Sequence, residues 1–459
     1  MIFEKNIQKK IIFPRGDFLN RTSSEHYIYV ESGLEKKICT LEKIFYLAFK
    51  FENRYDNKDF LMGNLFVKEL TRLKIAVDAM GGDFAPKEVV LGAVQAARIH
   101  DCEIVLVGDK PQIEEILAAE ENVDSLKISI RHTTEKIEMG EHPADAVRTK
   151  KDSSIVVATQ MVKDGECDCV FSAGSTGAAV AAAVLILKRI KGIGRPSIAT
   201  PIPTINGVTL LLDSGANVDS KPEHLVESGI MGSLYSQHVF GKENPRVGLL
   251  NIGEEETKGN EQAKETYQLL KNTHAINFVG NAEGRDIPSG NFDVVICDGF
   301  VGNVVLKFAE GLAKMILNLL KETFEASGLR AKLGAALLMP TLKTISERLD
   351  ASEYGGAPLL GVDGCCIIGH GSSKAKSICS AIGVANDYVE KDLLNEIRNS
   401  ITEKSSEIKS SEINSKKHCD KKSENDCDKK SEHVNEENSE SKPDEKLESN
   451  HEKNSEITS

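Results

Sequence analysis

One pattern recurs along the middle of the chain: an apolar, β-branched run of four to six residues ends in Gly, Asp or Asn, and a helical pattern follows. Such near-continuous apolar runs are typical of strands buried on both faces, and their alternation with helices indicates parallel pairing. The pattern therefore predicts an α/β fold with a buried, mostly parallel sheet. The runs are KIAVDAMGGD (74–83), EIVLVGD (103–109), CVFSAGSTG (169–177), VTLLLDSGAN (208–217), RVGLLNIGEEE (246–256), INFVGNAEG (276–284), DVVICDGFVGN (293–303) and CCIIGHGSS (365–373).

Polar and glycine residues fall at the carboxyl ends of these strands, which is the edge of an open α/β sheet where ligands bind. The stretch FSAGSTGAAVAAA (171–183) has two interpretations. It predicts either a tight turn before a close-packed helix, or an anion site in which backbone N–H groups approach a phosphate.

Common cofactor and hydrolase motifs are missing from the sequence. No strand end carries a complete GxGxxG with an acidic residue at the proper distance, and GxxxxGK[ST], HEXXH and GxSxG are absent. A nicotinamide site, a P-loop nucleotide site and the common metalloprotease and α/β-hydrolase mechanisms are therefore not expected.

Composition divides the chain into three parts. Residues 1–72 are aromatic and mixed in charge without a clear period, and we predict a poorly defined extension. Either the true start lies near Met62, or the first sixty residues are a loosely attached extension. Residues 73–399 are predicted to form the folded domain. Residues 400–459 are rich in Lys, Glu and Ser with no aromatic residue, which predicts a disordered tail. Residues 62–399 alone are expected to fold and remain active.

Charge and cysteine usage narrow the class of protein. The formal net charge is −13, and an acidic chain without a basic stripe argues against nucleic acid as the main partner. The ten cysteines have no zinc-site spacing, which favours reduced thiols in a cytoplasmic protein and gives no support for a metal site. No stretch reaches the roughly 20 apolar residues that span a bilayer.

Eight sequence blocks between about residue 73 and residue 399 match one known family in the same order, and several are too long to match by chance. They are AVDAMGGD (76–83), EHPADAVRTKKDSSI (141–155), FSAGSTGA (171–178), GRPSIATPIPT (194–204), LLDSGANVDSKPEHL (211–225), GLLNIGEEETKGNE (248–261), CDGFVGNVVLKFAEG (297–311) and YGGAPLLGVDG (354–364). Together they resemble the bacterial phosphate acyltransferase family, PlsX.

The resemblance implies transfer of a fatty acyl group from acyl carrier protein to inorganic phosphate, giving acyl phosphate for phospholipid synthesis. It implies a three-layer α/β/α fold similar to phosphotransacetylases and isopropylmalate dehydrogenases, a homodimer, no cofactor, and a membrane acyltransferase that uses the acyl phosphate. Two other functions stay open: a CoA-dependent phosphotransacetylase, and a membrane-associated lipid-binding scaffold without turnover.

This chemistry needs phosphate beside a thioester carbonyl, and a thiolate leaves readily because a free thiol has a pKa of about 8.5. A covalent enzyme nucleophile is therefore not required, and positioning with preorganised donors is expected to dominate. Each candidate phosphate ligand has a structural alternative: Ser175 and Thr176 could cap a helix, Arg195 could be a surface arginine, and Asn303 could form a turn. The candidate phosphate ligands are Ser175, Thr176, Gly177, Arg195 and Asn303.

Three residues are candidate catalytic groups: His142 in EHPAD, His370 in GHGSS and Asn217 in DSGAN. A protonated histidine could hold phosphate or the carbonyl oxygen, whereas a structural histidine is the alternative. Lys150 and Lys151 are candidate contacts for the acidic surface of acyl carrier protein, with a solvated pair at a helix start as the alternative.

Residues 312–324 place apolar side chains on one helical face, Ser327-Gly328 breaks the helix, and residues 329–345 supply a second apolar stretch. The pattern predicts either a dimer or core interface, or a helical hairpin whose tip rests on the inner face of the cell membrane, as the resemblance implies. Leu337 and Leu338 are the candidate membrane contacts. Each half is too short to span, so such contact would be peripheral.

Overall fold

The computed structural model describes residues 9–10, 29–30, 72–349 and 355–402. The chain divides into two compact units, Met1–Thr402 and Glu403–Ser459, and the second lies outside the described residues. The predictions for the N-terminal extension and for the C-terminal tail fall almost entirely outside the described residues and stay predictions.

Fourteen strands form three sheets among the described residues. Strands β1 and β2 pair with each other, antiparallel. A seven-stranded sheet has the order β5-β4-β3-β6-β14-β13-β7, and a five-stranded sheet has the order β11-β10-β12-β9-β8. In chain order the strands are β1 Lys9–Lys10, β2 Tyr29–Val30, β3 Leu73–Asp78, β4 Cys102–Gly108, β5 Ile128–His132, β6 Cys169–Ser172, β7 Ser197–Ile198, β8 Thr200–Thr204, β9 Gly207–Leu212, β10 Arg246–Leu250, β11 Asn277–Ala282, β12 Val294–Ile296, β13 Ala357–Leu360 and β14 Cys365–Ile368.

Parallel pairing dominates both larger sheets. Strands β3, β4, β5, β6 and β14 pair in parallel in the first, and β9, β10, β11 and β12 do so in the second. The antiparallel pairs of these two sheets, among the described strands, are β13 with β14, β13 with β7 and β8 with β9. The predicted α/β class with mostly parallel strands is confirmed, with the strands divided between two large sheets.

Helices connect the strands and cover the sheets. In chain order they are α1 Lys87–Ile99, α2 Lys110–Ala118, α3 Pro143–Thr149, α4 Ser154–Lys163, α5 Thr176–Ala182, α6 Pro222–Phe240, α7 Glu261–Lys271, α8 Gly299–Ala326, α9 Leu329–Leu349 and α10 Ala375–Glu390. Helix α5 continues as a π-helix, Ala183–Leu187, and residues 393–402 are also helical. Short 3-10 segments occur at Val123–Ser125 and Gly284–Ser289.

All eight strands predicted from apolar runs are present, as β3, β4, β6, β9, β10, β11, β12 and β14. Four further strands of the two large sheets were not predicted. β5 is a half-exposed edge strand without a continuous apolar run, and β8 carries Pro201 and Pro203, which suits an edge strand but weakens the sequence signal. β7 has only two residues, which is too few for a recognisable apolar run, and β13 contains Pro358, which weakens its signal.

The predicted break between two apolar helices is confirmed. Helix α8 ends at Ala326, and α9 begins at Leu329. Much of the apolar surface of the pair faces solvent in the described chain: Leu337 is 83% exposed, and Leu338 and Met315 are also exposed. The pair therefore carries a large apolar face that remains exposed among the described residues.

Candidate active site

The buried carboxyl of Asp78 organises the carboxyl ends of β3 and β6. Its Oδ2 accepts a hydrogen bond from the Ser172 hydroxyl at 2.7 Å, and its Oδ1 accepts one from the Met80 N–H at 3.3 Å. The Ser172 oxygen in turn accepts from the Gly174 N–H at 3.1 Å. Burial raises the pKa of Asp78, whereas hydrogen bonds from Ser154, Ser172 and the following backbone oppose that rise. One buried group therefore holds both strand-end loops.

The two loops approach each other too closely for side chains. A β-carbon on Gly81 would lie 2.5 Å from Asp78 Oδ2 and 2.9 Å from the Gly174 nitrogen, so only glycine fits. A third loop joins them, because the Asp83 N–H donates to the Gly371 carbonyl at 2.8 Å. The carboxyl ends of the adjacent strands β3, β6 and β14 thus form one continuous surface.

The loop 173–177 leads into helix α5 as predicted. Ser175 is the N-cap, and its hydroxyl oxygen accepts from the Ala178 N–H at 3.4 Å. Thr176 and Gly177 are exposed, and the Pro143 ring lies against Gly177. The loop therefore presents a hydroxyl and backbone N–H groups at the sheet edge, and Pro143 packs against its turn.

His370 follows β14 and meets helix α8. The Lys307 ammonium lies 2.7 Å from His370 Nε2, and the Ser372 hydroxyl lies 2.8 Å from Nδ1. An ammonium group can only donate, so Nε2 accepts from Lys307, and the Ser372 backbone N–H approaches Nδ1 at 3.2 Å. Lys307 also pairs with Glu310 at 3.0 Å. The pair sets a cation and an oriented imidazole at the exposed edge.

A second buried carboxyl, Asp213, organises the end of β9. Five N–H donors reach it, from Ile198, Gly215, Ala216 and both the backbone and the side chain of Asn217. Burial raises the pKa of Asp213 and these donors oppose the rise. The Asn217 amide also donates to the Pro196 carbonyl at 2.5 Å. The Asn217 side chain is thus fixed by two acceptors.

The first turns of helix α8 connect the edges of the two sheets. The Asn303 side chain lies against Gly215, in the loop after β9, and Lys307, one turn further along the same helix face, reaches His370 after β14. Gly302 packs directly on the Asp213 carbonyl, so the helix cannot move away without opening this contact. Asn303 and Lys307 are both exposed.

Other predicted site residues lie around this edge. His142 is exposed and precedes α3, with its Nδ1 3.0 Å from Asp145. Lys150 ends α3, pairs with Glu141 at 2.6 Å and donates to the Lys136 carbonyl, and its neighbour Lys151 donates to a carbonyl within α3. Arg195 is exposed at a bend before β7, where an extended segment was predicted. The roles assigned to these residues stay predictions.

Two residues that the sequence did not single out belong to this edge. Lys307 lies in the block CDGFVGNVVLKFAEG, where its position one turn after Asn303 was a usable signal. Asp78 ends the strand in AVDAMGGD, and a carboxyl at the end of a buried strand was the available signal there. Among the residues that the structure describes, no group of three or more His, Cys, Asp or Glu is arranged to hold a metal ion.

Comparison with known proteins identifies the family. The fatty acid synthesis protein family matches residues 73–396. The chain belongs to this family. Its relatives include the phosphate acyltransferases of Desulfitobacterium hafniense strain Y51, 56% identical over 71% of this chain and 96% of the relative, and of Nostoc sp. strain PCC 7120, 50% identical over 72% of this chain and 96% of the relative. The sequence resemblance to phosphate acyltransferases is confirmed.

The solved structures that match are more distant in sequence. A phosphotransacetylase from Streptococcus pyogenes matches over 72% of this chain and 98% of its own, with 17% identity and a TM-score of 0.49. A second, from Staphylococcus aureus, has a TM-score of 0.46, covers 70% of this chain and 97% of its own, and is 17% identical.

Proposed function

We propose that this chain transfers a fatty acyl group from acyl carrier protein to inorganic phosphate, giving acyl phosphate for phospholipid synthesis. Acyl transfer to phosphate is the activity of the family to which the chain belongs. The carrier donor is the finer part of the proposal. The observation that supports phosphate as the acceptor is the set of donors at this edge: the Ser175 hydroxyl after β6, the Asn303 amide beside the loop after β9, and Lys307 beside His370 after β14.

The step is a direct displacement at the thioester carbonyl. A phosphate oxygen forms a bond to the carbonyl carbon, the carbon–sulfur bond breaks, and the carrier leaves as a thiolate that takes a proton from solvent. Phosphate attacks as an anion, so the protein needs no general base of its own. Its residues contribute by holding phosphate near the carbonyl and stabilising the oxyanion that develops.

The geometry supports particular roles. Ser175, Thr176 and Gly177 would hold phosphate through hydroxyls and backbone N–H groups, with Lys307 as an additional cation. Asn217 is fixed by Asp213 and the Pro196 carbonyl, so its role would be to shape the edge beside Arg195 and Asn303. His370 would orient Lys307 through Nε2, and His142 would flank the loop from the start of α3.

The proposed function is tested by following release of carrier thiol. Purified protein is incubated with phosphate and either palmitoyl-acyl carrier protein or acetyl-CoA. Phosphate-dependent thiol release with the carrier substrate alone supports the proposal. Release with acetyl-CoA alone would make the chain a phosphotransacetylase, and release with neither would favour the lipid-binding scaffold.

The loop after β6 gives a testable prediction about phosphate. The double variant Ser175→Ala/Thr176→Ala is expected to raise the phosphate KM at least about tenfold, which corresponds to about 1.4 kcal/mol of binding. Stability should fall only by the loss of a helix cap, about 1 kcal/mol. Steady-state kinetics and thermal unfolding measure the two effects.

Asn260→Ala is the matched control, because Asn260 caps helix α7 by accepting from the Ala263 N–H at 2.9 Å, on another element. It should lose similar stability and keep the phosphate KM of the parent chain. An unchanged phosphate KM in the Ser175/Thr176 variant would reduce the loop to a structural turn.

We further propose that the α8–α9 pair contacts the inner face of the cell membrane, so that the acyl phosphate reaches a membrane acyltransferase. No helix in the described part of the chain is both long and apolar enough to cross a bilayer. The exposed side chains of Leu337 and Leu338 supply apolar surface, and the exposed Arg330 and Lys332 add up to about 1 kcal/mol each on anionic lipid. Homodimer formation is the alternative use of this face.

Flotation with anionic liposomes tests the membrane contact. Leu337→Glu/Leu338→Glu is expected to abolish flotation while the mass of the assembly in solution stays unchanged. Ile99→Glu/Ile205→Glu is the control, since both isoleucines are exposed on other elements, at 70% and 84%. A monomeric Leu337/Leu338 variant, or one that still floats, would assign these leucines to a subunit interface instead.

A further inference from the structure

Residues 188–195, which we call the basic loop, concentrate positive charge on one surface. The segment KRIKGIGR connects the end of the π-helix to β7 and holds Lys188, Arg189, Lys191 and Arg195, all exposed. The whole chain carries a formal net charge of −13. A run of four cations in eight residues therefore contrasts with the rest of the protein.

The basic loop lies on the start of helix α6. The Gly194 N–H donates to Glu227 Oε2 at 2.7 Å, and the His224 ring lies against Gly194. The Arg189 guanidinium donates to the Gly194 carbonyl and closes the loop on itself. Lys221, the N-cap residue of α6, is exposed beside it. These contacts hold the backbone of the basic loop in place against helix α6.

His224 lies within reach of the charges of the basic loop. Burial and then the neighbouring Arg195 charge lower the pKa of His224, and Lys221 and Arg189 act in the same direction. Glu223 opposes them. The basic loop and the start of α6 thus bring their cations together around one point, with Glu223 and Glu227 as the acidic groups facing it.

The basic loop ends directly at the candidate active site. Arg195 is followed by Pro196, whose carbonyl accepts from the Asn217 amide at 2.5 Å. A macromolecule held on the basic loop would therefore have its attached group next to the loop after β9. Lys150, by contrast, forms an ion pair with Glu141 at 2.6 Å. The basic loop is thus better placed for docking than the Lys150/Lys151 pair.

We propose that the basic loop and Lys221 form the docking surface for an acidic protein that carries the acyl thioester. The proposal rests on the proposed function, which requires a protein-bound acyl donor. Complementary charge raises the rate of encounter with an acidic partner and fixes its orientation, and its effect weakens as salt rises. Phosphate and small thioesters reach the site without this surface.

The test uses the full-length chain with Lys188→Glu/Lys191→Glu, two exposed lysines to which no substrate role is assigned. With palmitoyl-acyl carrier protein, kcat/KM should fall at least about tenfold, and the parent chain should lose rate steeply as salt increases. The phosphate KM should stay within about twofold of the parent. Calorimetry should show weaker binding of the carrier protein to the variant.

Lys127→Glu/Lys264→Glu is the matched control, with the same change in charge on exposed lysines before β5 and in α7. It should keep the parent's carrier affinity. Equal carrier binding by the parent and the Lys188/Lys191 variant would overturn the proposal. A rise in the phosphate KM of this variant would also overturn it, because the basic loop would then bind the substrate anion. A variant that loses only its binding to anionic liposomes would overturn it as well. Because calorimetry needs no turnover, a chain that binds the carrier but transfers nothing would contradict the proposed function and leave the docking surface intact.

Discussion

Lys307→Ala is expected to lower kcat/KM for phosphate about 100-fold, because in the proposed mechanism Lys307 is a cationic donor to the negative charge of phosphate and the transition state. Lys307 is half-exposed, so the free energy of unfolding of the variant should lie within about 0.5 kcal/mol of that of the parent. The measurement is steady-state kinetics at varied phosphate with saturating acyl donor.

Lys314→Ala is the matched control for Lys307, since Lys314 is an exposed lysine about two turns further along helix α8. It should retain the activity of the parent. Lys307→Arg should recover part of the loss, because it restores the charge with a different geometry. Parent-like kinetics in Lys307→Ala would show that the contact with His370 at 2.7 Å is a surface pairing without a part in the reaction.

Asp78→Ala is expected to lower the free energy of unfolding by about 3 kcal/mol, because it leaves the Ser172 hydroxyl and the Met80 N–H without a buried acceptor. The folded fraction should also lose about 100-fold in kcat/KM, since both strand-end loops depend on this carboxyl for their positions. Denaturant unfolding and kinetics at low temperature separate the two effects.

Asp293→Ala controls for loss of stability alone. Asp293 is a buried carboxylate before β12 that pairs with Arg246 at 3.0 Å, at the opposite edge of the second sheet from the strand-end loops. Its removal should destabilise the chain while kcat/KM of the folded fraction stays near that of the parent. If both variants lose stability equally and both keep kcat/KM, Asp78 is only a structural support.

The parts of the fold that were predictable from sequence depend on local patterns. Buried parallel strands carry apolar runs that end in glycine and polar residues, so β3, β6, β9 and β14 could be recognised with their loops. The N-cap role of Ser175 and the helix break at Ser327-Gly328 follow from equally local rules. Edge strand β8, with two prolines, gave no such pattern.

The site was only partly predictable because its contacts join distant parts of the chain. Lys307 and His370 are 63 residues apart, and only the path of helix α8 across both sheet edges brings them together. Asp78 and Ser172 are 94 residues apart and meet because β3 and β6 pair in parallel. The spacing of residues within one segment cannot predict such contacts. They follow from the order in which the strands pair in the sheet.

Transfer from a protein thioester directly to phosphate is the central claim, and oxygen-labelled phosphate tests it most directly. The protein is incubated with palmitoyl-acyl carrier protein and fully ¹⁸O-labelled phosphate, and the product is examined by mass spectrometry. The predicted product is palmitoyl phosphate that retains every labelled oxygen, including the bridging one, formed together with one carrier thiol. Release of unlabelled palmitate and carrier thiol at a rate independent of phosphate would contradict the claim.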